Sequence, residues 1–497
     1  MAPGPRHILD TLVLPDRYEK VAELVGDDVA KLLTKTEDSG STTLDEGSYF
    51  VEANGRGLFA PLVAKTGTGK TTLVTNLHNW YPNRFTPTVR YTGSQVTNSA
   101  LASLVRDLRH SEHISPADGR CIPINIDDRE ARPPDDEELS EIKAFLRSEP
   151  GSKAIVLWLM TDQARAAESA LYYERMSGMS PIRLPISVGG PPPSAWPQIA
   201  LTTLHMCNEI DDLNQLGVDP RTYNPGDYDT IGSFLAAISS DFARMRIGLV
   251  KSTERKLRLM VLFVSESRGN GVLSELTSGK SFGLVDPEKL LSASPDSAIS
   301  RWWKARRGAL VRTVVGLDAR AVGVSPATVV PIVRRYGPPD AVRVFEELAV
   351  QKRTETEIEK YFVRSDLGKL LQGTSQATSV NQGNPGDKAT ESYQYLGEMY
   401  GFNAGKDKPL NRALADHLRY LSLKGTLPSA EVSVETRIPF VHPIIPDVML
   451  DDATDTNCLE LHWRTGEFLT TGNRSEVAQY VLSKLKSYAL GLEWAEP

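Results

Sequence analysis

The stretch Leu58-Phe59-Ala60-Pro61-Leu62-Val63-Ala64-Lys65-Thr66-Gly67-Thr68-Gly69-Lys70-Thr71-Thr72 decides how the rest of the chain is read. An apolar run with strand character enters a glycine-rich turn, and Leu73-Val74-Thr75-Asn76-Leu77 continues with helical character. Gly67 and Gly69 let the backbone curl so that successive N–H groups turn inward, a shape suited to phosphate oxygens. The helix that follows presents its positive end to the same place.

Strand, loop, Lys-Thr pair and helix together resemble the P-loop of nucleoside triphosphatases. One position departs: the usual pattern opens on Gly, and here Ala64 stands there. The resemblance implies that Thr66, Gly67, Thr68, Gly69, Lys70, Thr71 and Thr72 bind ATP, with Lys70 on the β and γ phosphates and the Thr71 hydroxyl on Mg²⁺.

Outward from this loop, β-like runs and helical segments alternate. Thr86–Thr92 is β-branched, and Ser94 is placed to cap a helix to about His110. The apolar run 121–126 ends in Asp127-Asp128-Arg129-Glu130, and a charged helix spans Asp135 to Arg147. Ala154–Met160 is a strongly apolar strand ending at Thr161-Asp162; a helix to about Met176 and a short strand within Ile182–Val188 follow. The alternation predicts an α/β fold, a mainly parallel sheet with helices on both faces. Before the loop, residues 7–35 read as mainly helical with a break at Pro15. A polar loop from Thr36 to Gly47 leads through Tyr49–Ala53 to the apolar strand.

The element order resembles the AAA+ class of P-loop ATPases. That order puts Asp127 on the acidic strand, as the Mg²⁺ acid acting through its water shell, in preference to Asp162. Asp128 or Glu130 would polarise the attacking water, and Thr161 would sense the γ-phosphate. The usual Asp-Glu pair is Asp-Asp here, so the choice between Asp128 and Glu130 stays open. The class also implies a homo-oligomer with an arginine reaching a neighbour's site, for which Arg175 and Arg183 stand near the end of the fourth helix.

Beyond Gly189-Gly190-Pro191-Pro192-Pro193, helical segments run from Trp196 to Leu216 and from Asp229 to about Met245. Arg255–Ser265 is the strongest strand of the middle region, and 286–350 read as helical. Residues 301–312 combine Arg301, Lys304, Arg306, Arg307 and Arg312 with Trp302 and Trp303, a composition able to grip a nucleic-acid backbone or simply to form a solvated face. Residues 372–390 are poor in apolar side chains.

The last hundred residues carry a second pattern. After a helix from about Leu410 to Leu423 come strands at Glu431–Val434, Ile444–Leu450 and Asn457–Arg464, then a helix from Ser475 to about Tyr488. Pro446-Asp447 and Glu460 resemble the Pro-Asp…(Asp/Glu)-x-Lys motif of restriction-endonuclease-like nucleases, whose acids on adjacent strands hold a metal. His462 stands where that motif has lysine, and Lys484 on the following helix would substitute in space.

These readings divide the chain into N-terminal helices and an ATPase core over 1–190, a mainly helical lid or middle domain over 191–371, a linker or mobile loop over 372–390, and a small restriction-endonuclease-like α/β domain over 391–497. With 497 residues, about three domains are expected. Apolar content of 40% and charged content of 24% are those of an ordinary globular protein. A net charge of −7 excludes a global basic footprint, so any nucleic-acid surface is local. The cysteines Cys121, Cys207 and Cys458 form no metal-binding spacing, and the opening residues lack the apolar core of a signal peptide. The expectation is a cytoplasmic, Mg²⁺-dependent ATPase with no membrane segment, whose turnover drives assembly or remodelling on DNA or a nucleic-acid-processing protein partner, with a nuclease-like domain weak or inactive in cleavage; the alternatives are a nucleotide-gated scaffold that turns over slowly and a DNA nuclease effector regulated by the ATPase. The stretch Ile124-Asn125-Ile126-Asp127-Asp128-Arg129-Glu130 resembles ATPases of bacterial anti-phage and DNA-processing systems, in which P-loop ATPases joined to nuclease-like domains are common.

Overall fold

Five runs between 58 and 188 pair side by side, the central three buried on both faces, the condition that favours a parallel sheet covered by helices, and the two edge strands partly exposed. β1 (Leu58–Val63), β2 (Val89–Tyr91), β3 (Ile122–Ile126), β4 (Ala154–Met160) and β5 (Ile186–Ser187) lie in the order β2-β3-β4-β1-β5, all parallel. The computed structural model describes every residue except 1–6, 27–28, 30–38, 116, 209, 253–254, 268–270, 374–385, 403–405, 440, 442, 453 and 497. Helical character expected over 27–35, apart from position 29, and most of the 372–390 stretch fall outside the described residues.

Helices of this unit are α1 (Tyr18–Val25), α2 (Ser39–Asn54), α3 (Lys70–Thr75), α4 (Leu77–Trp80), α5 (Asn98–Ser111), α6 (Asp136–Leu146), α7 (Gln163–Ser177), α8 (Trp196–Cys207) and the start of α9 (Ile231–Ser252). On one face of the sheet Leu44 and Val51 of α2 pack with Leu73, Val74 and Leu77 against Leu58, Ala60, Leu62, Ile155, Leu157 and Leu159. On the other, α5, α6 and α7 cover Phe59, Val63, Ile122, Ile124, Ile126, Val156 and Trp158.

The expected polar loop over 36–47 and the run to Ala53 are corrected here: Ser39–Asn54 is one helix. Its buried positions are Gly40, Ser41, Leu44, Gly47, Ser48 and Val51, a helical spacing filled largely by small residues. A Cβ on Gly47 would come within 3.1 Å of Leu58, so small side chains are what let the helix seat. The α5 cap is Thr97, whose side chain accepts Ala100 N–H, rather than Ser94.

The second unit comprises Met1–Val13, Asn208–Asp219 and Asp241–Pro497, while the first comprises Leu14–Cys207 with Pro220–Ser240. Its sheet has the order β7-β6-β10-β9-β8, from β6 (Lys256–Val264), β7 (Arg320–Val324), β8 (Glu431–Val434), β9 (Val448–Asp451) and β10 (Asp455–Trp463). β6 runs parallel to β7 and β10, and β9 antiparallel to β10 and β8.

α10 (Gly271–Leu276), α11 (Pro287–Ala293), α12 (Ala298–Lys304) and α13 (Arg307–Gly316) precede β7. α14 (Pro326–Tyr336), α15 (Pro339–Glu347), α16 (Glu355–Arg364), α17 (Asp366–Leu371), α18 (Asp387–Tyr400) and α19 (Lys408–Lys424) separate β7 from β8, and α20 (Arg474–Gly491) follows β10. The stretches 191–371 and 391–497 therefore share one sheet: 191–371 divides between the two units, and β6 and β7 complete what 391–497 begins.

β7 interrupts a region read as helical. Its first residue, Arg320, is buried with Asp318, which also takes Arg258 Nε at 2.6 Å. A charge at a fully buried strand position breaks the apolar pattern by which strands are recognised. Among the described residues no helix is long and apolar enough to cross a membrane.

Candidate functional site

Chain order and strand order together open a crevice in the first sheet. From β1 the chain passes through α3 and α4 on one face to reach β2, whereas from β4 it passes through α7 on the opposite face to reach β5. Right-handed crossovers impose this, and ligands of open α/β sheets settle at the carboxyl ends of strands where the direction reverses. β1 and β4 are neighbours here, with Leu62 opposite Leu159 and Val63 opposite Met160. Alternation along a strand puts Ala64, Thr161 and Asp127 on the α3 face, beyond the ends of β1, β4 and β3.

The loop after β1 starts with Ala64 N–H donating to Met160 O at 3.2 Å and closes with Thr68 N–H on Lys65 O at 3.3 Å. Gly67 (φ 81°) and Gly69 (φ 106°) adopt left-handed backbone, as the glycine spacing requires. Lys65, Thr66 and Gly67 form an exposed rim, and Thr68, Gly69, Thr71 and Thr72 are half-buried. Lys70 is 3% exposed. Its Nζ donates to Ala64 O at 2.9 Å and Lys65 O at 3.4 Å and lies 3.6 Å from Glu130 Oε2. Burial holds the Lys70 ammonium below the ordinary lysine range, with the Glu130 carboxylate opposing that shift.

The turn after β3 separates its three acids. Asp127 is largely covered and accepts from Arg90 Nε of β2; Asp128 (φ 60°) turns to solvent with Arg90 Nη2 at 3.4 Å. Arg129 goes inward to the buried Glu138 and donates to Gly93 O at 2.6 Å. With Arg129 anchored below, Glu130 faces Lys70. Thr161 is exposed at the tip of β4. Asp162 caps α7, accepting from Ala164 N–H at 2.9 Å and Arg165 N–H at 3.1 Å. Arg175 and Arg183 are exposed.

Mg²⁺ beside a triphosphate needs only one or two protein oxygens, and Asp127, beyond the end of β3, offers one that Arg90 now occupies. Among the described residues no three His, Cys, Asp or Glu side chains are grouped as a self-sufficient metal cage.

In the second unit, the register Leu459↔Val448 places Glu460 opposite Asp447, on the sheet face away from Leu459 and Leu461. Asp447 Oδ2 accepts Leu461 N–H at 2.7 Å. Burial, reinforced by the Glu460 charge, pushes the Asp447 carboxyl up to about 6. Glu460 is held by Lys484 and by Tyr488 OH at 2.9 Å, both from α20. Burial opposes the Lys484 charge, and Glu460 outweighs it, leaving the ammonium above its usual range. His462 stacks on Tyr480 with centroids 3.8 Å apart, its Nε2 buried without a partner, and burial lowers it to about 3.

Four of the five cations of the basic segment 301–312 are engaged locally, and Arg312 is exposed. Arg301 donates to Asp296 O at 3.0 Å, Lys304 to Pro295 O at 3.0 Å and Arg306 to Glu496 O at 3.1 Å, while Arg307 pairs with Asp212 and Glu288. Trp303 is buried, its Nε1 on Leu482 O.

Sequence reasoning did not single out Arg90, Tyr480 or Tyr488. Arg90 alternates with the apolar Val89 and Tyr91 on a strand, which was the available signal; the tyrosines sit among the apolar residues of a helix and carried none. No protein-family model matches this chain, and no curated protein is similar to it.

Proposed function

We propose that the first unit binds ATP with Mg²⁺ and hydrolyses it, as an AAA+-like ATPase whose turnover drives assembly or remodelling on DNA or a protein partner. The observation that carries this reading is the buried Lys70 ammonium at the mouth of the β1–β4 crevice, facing Glu130 at 3.6 Å. A buried cation is costly unless a strong anionic partner awaits it. The triphosphate would supply that partner, drawing Nζ from the loop carbonyls.

Each side chain then has a task. The loop N–H groups and Lys70 hold the β and γ phosphates. Thr71 and Asp127 would hold Mg²⁺, which supplies charge neutralisation between those phosphates. Once Lys70 moves to phosphate, Glu130 is released as a carboxylate beside the reacting centre and takes a proton from the attacking water. The water oxygen bonds to the γ phosphorus, and the bond to the bridging oxygen breaks with its electron pair leaving on ADP. Thr161, just beyond the end of β4, would hydrogen-bond the γ-phosphate. Glu130 is preferred to Asp128 for the proton transfer because it faces Lys70, whereas Asp128 is turned to solvent. Arg175 or Arg183 would complete the site of a neighbouring copy. The decisive experiment is ATP turnover by the purified chain against DNA, RNA and protein partners, with Lys70→Ala as control; no ATP binding by calorimetry would refute the proposal.

A second reading concerns the second unit, and the facing Asp447 and Glu460 favour it. Two acids opposed across neighbouring strands with Lys484 on one of them support a nuclease-like site, slow or inactive by itself, that holds nucleic acid. Converging like charges fit a divalent cation. Manganese-dependent DNA cleavage by the full chain, lost in Asp447→Ala, would establish catalysis; DNA binding without cleavage would establish holding alone.

A further inference from the structure

The phosphate loop is gripped from outside. Gly67 O accepts the N–H of Gly232, at the start of α9, at 2.9 Å. The approach is backbone to backbone: a Cβ on Gly232 would lie 2.7 Å from Gly67 Cα, and a Cβ on Gly67 would lie 3.0 Å from Thr230 Oγ1 and 3.2 Å from Gly232 Cα. From the other flank Gly190 (φ 70°) comes so near that a Cβ there would meet Thr68 O at 2.2 Å. Thr230 is buried and is tied to Ser233, whose Oγ donates to Thr230 O at 2.7 Å and whose N–H donates to Thr230 Oγ1 at 3.2 Å. Lys65 Nζ lies 3.6 Å from Asp229 Oδ2, an exposed pair at the same turn.

A loop that aims its N–H groups at phosphate must aim carbonyls the other way, and a carbonyl shielded from water needs a donor. The peptide plane makes this concrete. Gly67 O and the Thr68 N–H point to opposite sides of one planar unit, so fixing the carbonyl on Gly232 fixes the Thr68 N–H on the inner side, where Lys65 O takes it at 3.3 Å. That bond is at the long end of the N–H···O range, and a phosphate oxygen would replace Lys65 O as its acceptor. Gly190 packs closely on the Thr68 carbonyl, at the next peptide of the loop.

We infer that the turn Asp229–Gly232 and Gly190 are positioning elements of the phosphate site, and that they set the Gly67–Thr68 peptide for the triphosphate of a nucleotide. This rests on the nucleotide reading of the loop. Neither element touches the ligand; both act through the orientation of Thr68. Preorganised donors bind without the cost of ordering the loop at the moment of association. Their loss would show in binding more than in the chemical step.

The test is calorimetry of the full chain with a non-hydrolysable ATP analogue and Mg²⁺, alongside steady-state ATP turnover and the melting temperature without nucleotide. Gly232→Ala is expected to weaken binding and raise KM at least tenfold, with kcat within about threefold of the parent, the signature of lost uniform binding. Gly248→Ala, in the same helix with open space around it, is expected to leave both unchanged. Gly190→Ala strains the loop from its other flank and is expected to weaken binding similarly; it carries the test if Gly232→Ala does not fold. Affinity within twofold of the parent in a folded variant of either kind, with or without a lowered melting temperature, would overturn the inference alone. Absence of binding by the parent chain would instead overturn the nucleotide reading, and this inference with it.

Discussion

Lys70 Nζ and Glu130 Oε2 stand 3.6 Å apart at the carboxyl edge of the first sheet, although the two residues belong to different strand ends with β4 between them. Lys70→Ala is expected to weaken ATP binding by about 10–100-fold, the worth of one to two charge-assisted hydrogen bonds. The fold should survive, because Nζ contacts only loop carbonyls and a half-buried carboxylate. Calorimetry reads the affinity and circular dichroism the fold; an unchanged affinity would remove Lys70 from the site.

Glu130→Gln is expected to cut turnover by roughly 10²–10⁴-fold while leaving nucleotide affinity intact, the usual range for a lost general base. Asp128→Asn should change turnover by less than about threefold on the same basis, its side chain lying outward with Arg90. Single-turnover kinetics separates the step from product release. The opposite ranking would transfer the role to Asp128.

Asp127→Asn should impair Mg²⁺-dependent hydrolysis far more than Asp162→Asn. Asp162 accepts two N–H groups at the head of α7, and asparagine serves nearly as well in that place. Asp162→Ala is expected to cost about 1 kcal/mol of stability with little effect on rate. A Mg²⁺ titration of ATPase activity that moves for Asp162→Asn and not for Asp127→Asn would reverse the assignment.

His417 predicts a pH dependence. It is fully buried among Tyr336, Phe362 and Tyr420, neither ring nitrogen has a hydrogen-bond partner, and burial lowers it to about 4. Its folded value lies below the unfolded value of about 6.5, so the unfolded chain binds the extra proton between those limits. Stability should therefore be complete above pH 6.5 and fall toward pH 4, by about 3 kcal/mol at most from this residue. His417→Phe should flatten the slope of urea-melt stability against pH in that window. An unchanged slope would mean that the ring is solvated. His462 acts in the same sense, so the comparison must be between parent and variant.

Lys484→Ala strands the Glu460 carboxylate, whose side chain is 4% exposed, with Tyr488 as its remaining donor. Loss of one partner of a buried pair costs about 3 kcal/mol. Adding Glu460→Gln removes the stranded charge and should recover much of the loss. A urea melt that fails to respond to Lys484→Ala would mean the pair is solvated and carries no stability.

The strands of the first sheet were legible because their residues are apolar on both faces, and β1, β3 and β4 are where the sequence puts them. Helix α2 was not, because Gly40, Ser41, Gly47 and Ser48 carry a buried face with almost no hydrophobic signal. β7 was hidden by a buried arginine whose partner, Asp318, lies outside the strand. At the candidate sites, Asp447, Glu460 and Lys484 could be named through the resemblance to the nuclease motif. Their meeting depends on the β9–β10 register and on α20 lying over that face. The differing placement of Asp128 and Glu130 lay beyond the sequence, because it follows from a left-handed residue at Asp128 and the inward pull of Arg129, which leave Glu130 facing Lys70. The Gly67–Gly232 contact joins positions far apart with no side chains to announce it.

The pairing of β6 with β10 bears on how this protein is made. Arg258 and Asn457, which meet through their side chains across these strands, stand 199 positions apart. A ribosome adding residues at ordinary rates needs roughly 10–40 s to cover that distance. Throughout it β6 and β7, apolar along nearly all their length, lack the neighbour on β6's other side. Such strands recruit one another between nascent chains unless held apart. Slow long-range closure and an unpaired apolar edge make the yield of soluble protein depend on chaperones and low growth temperature, and a chain stopped near residue 390 should emerge insoluble.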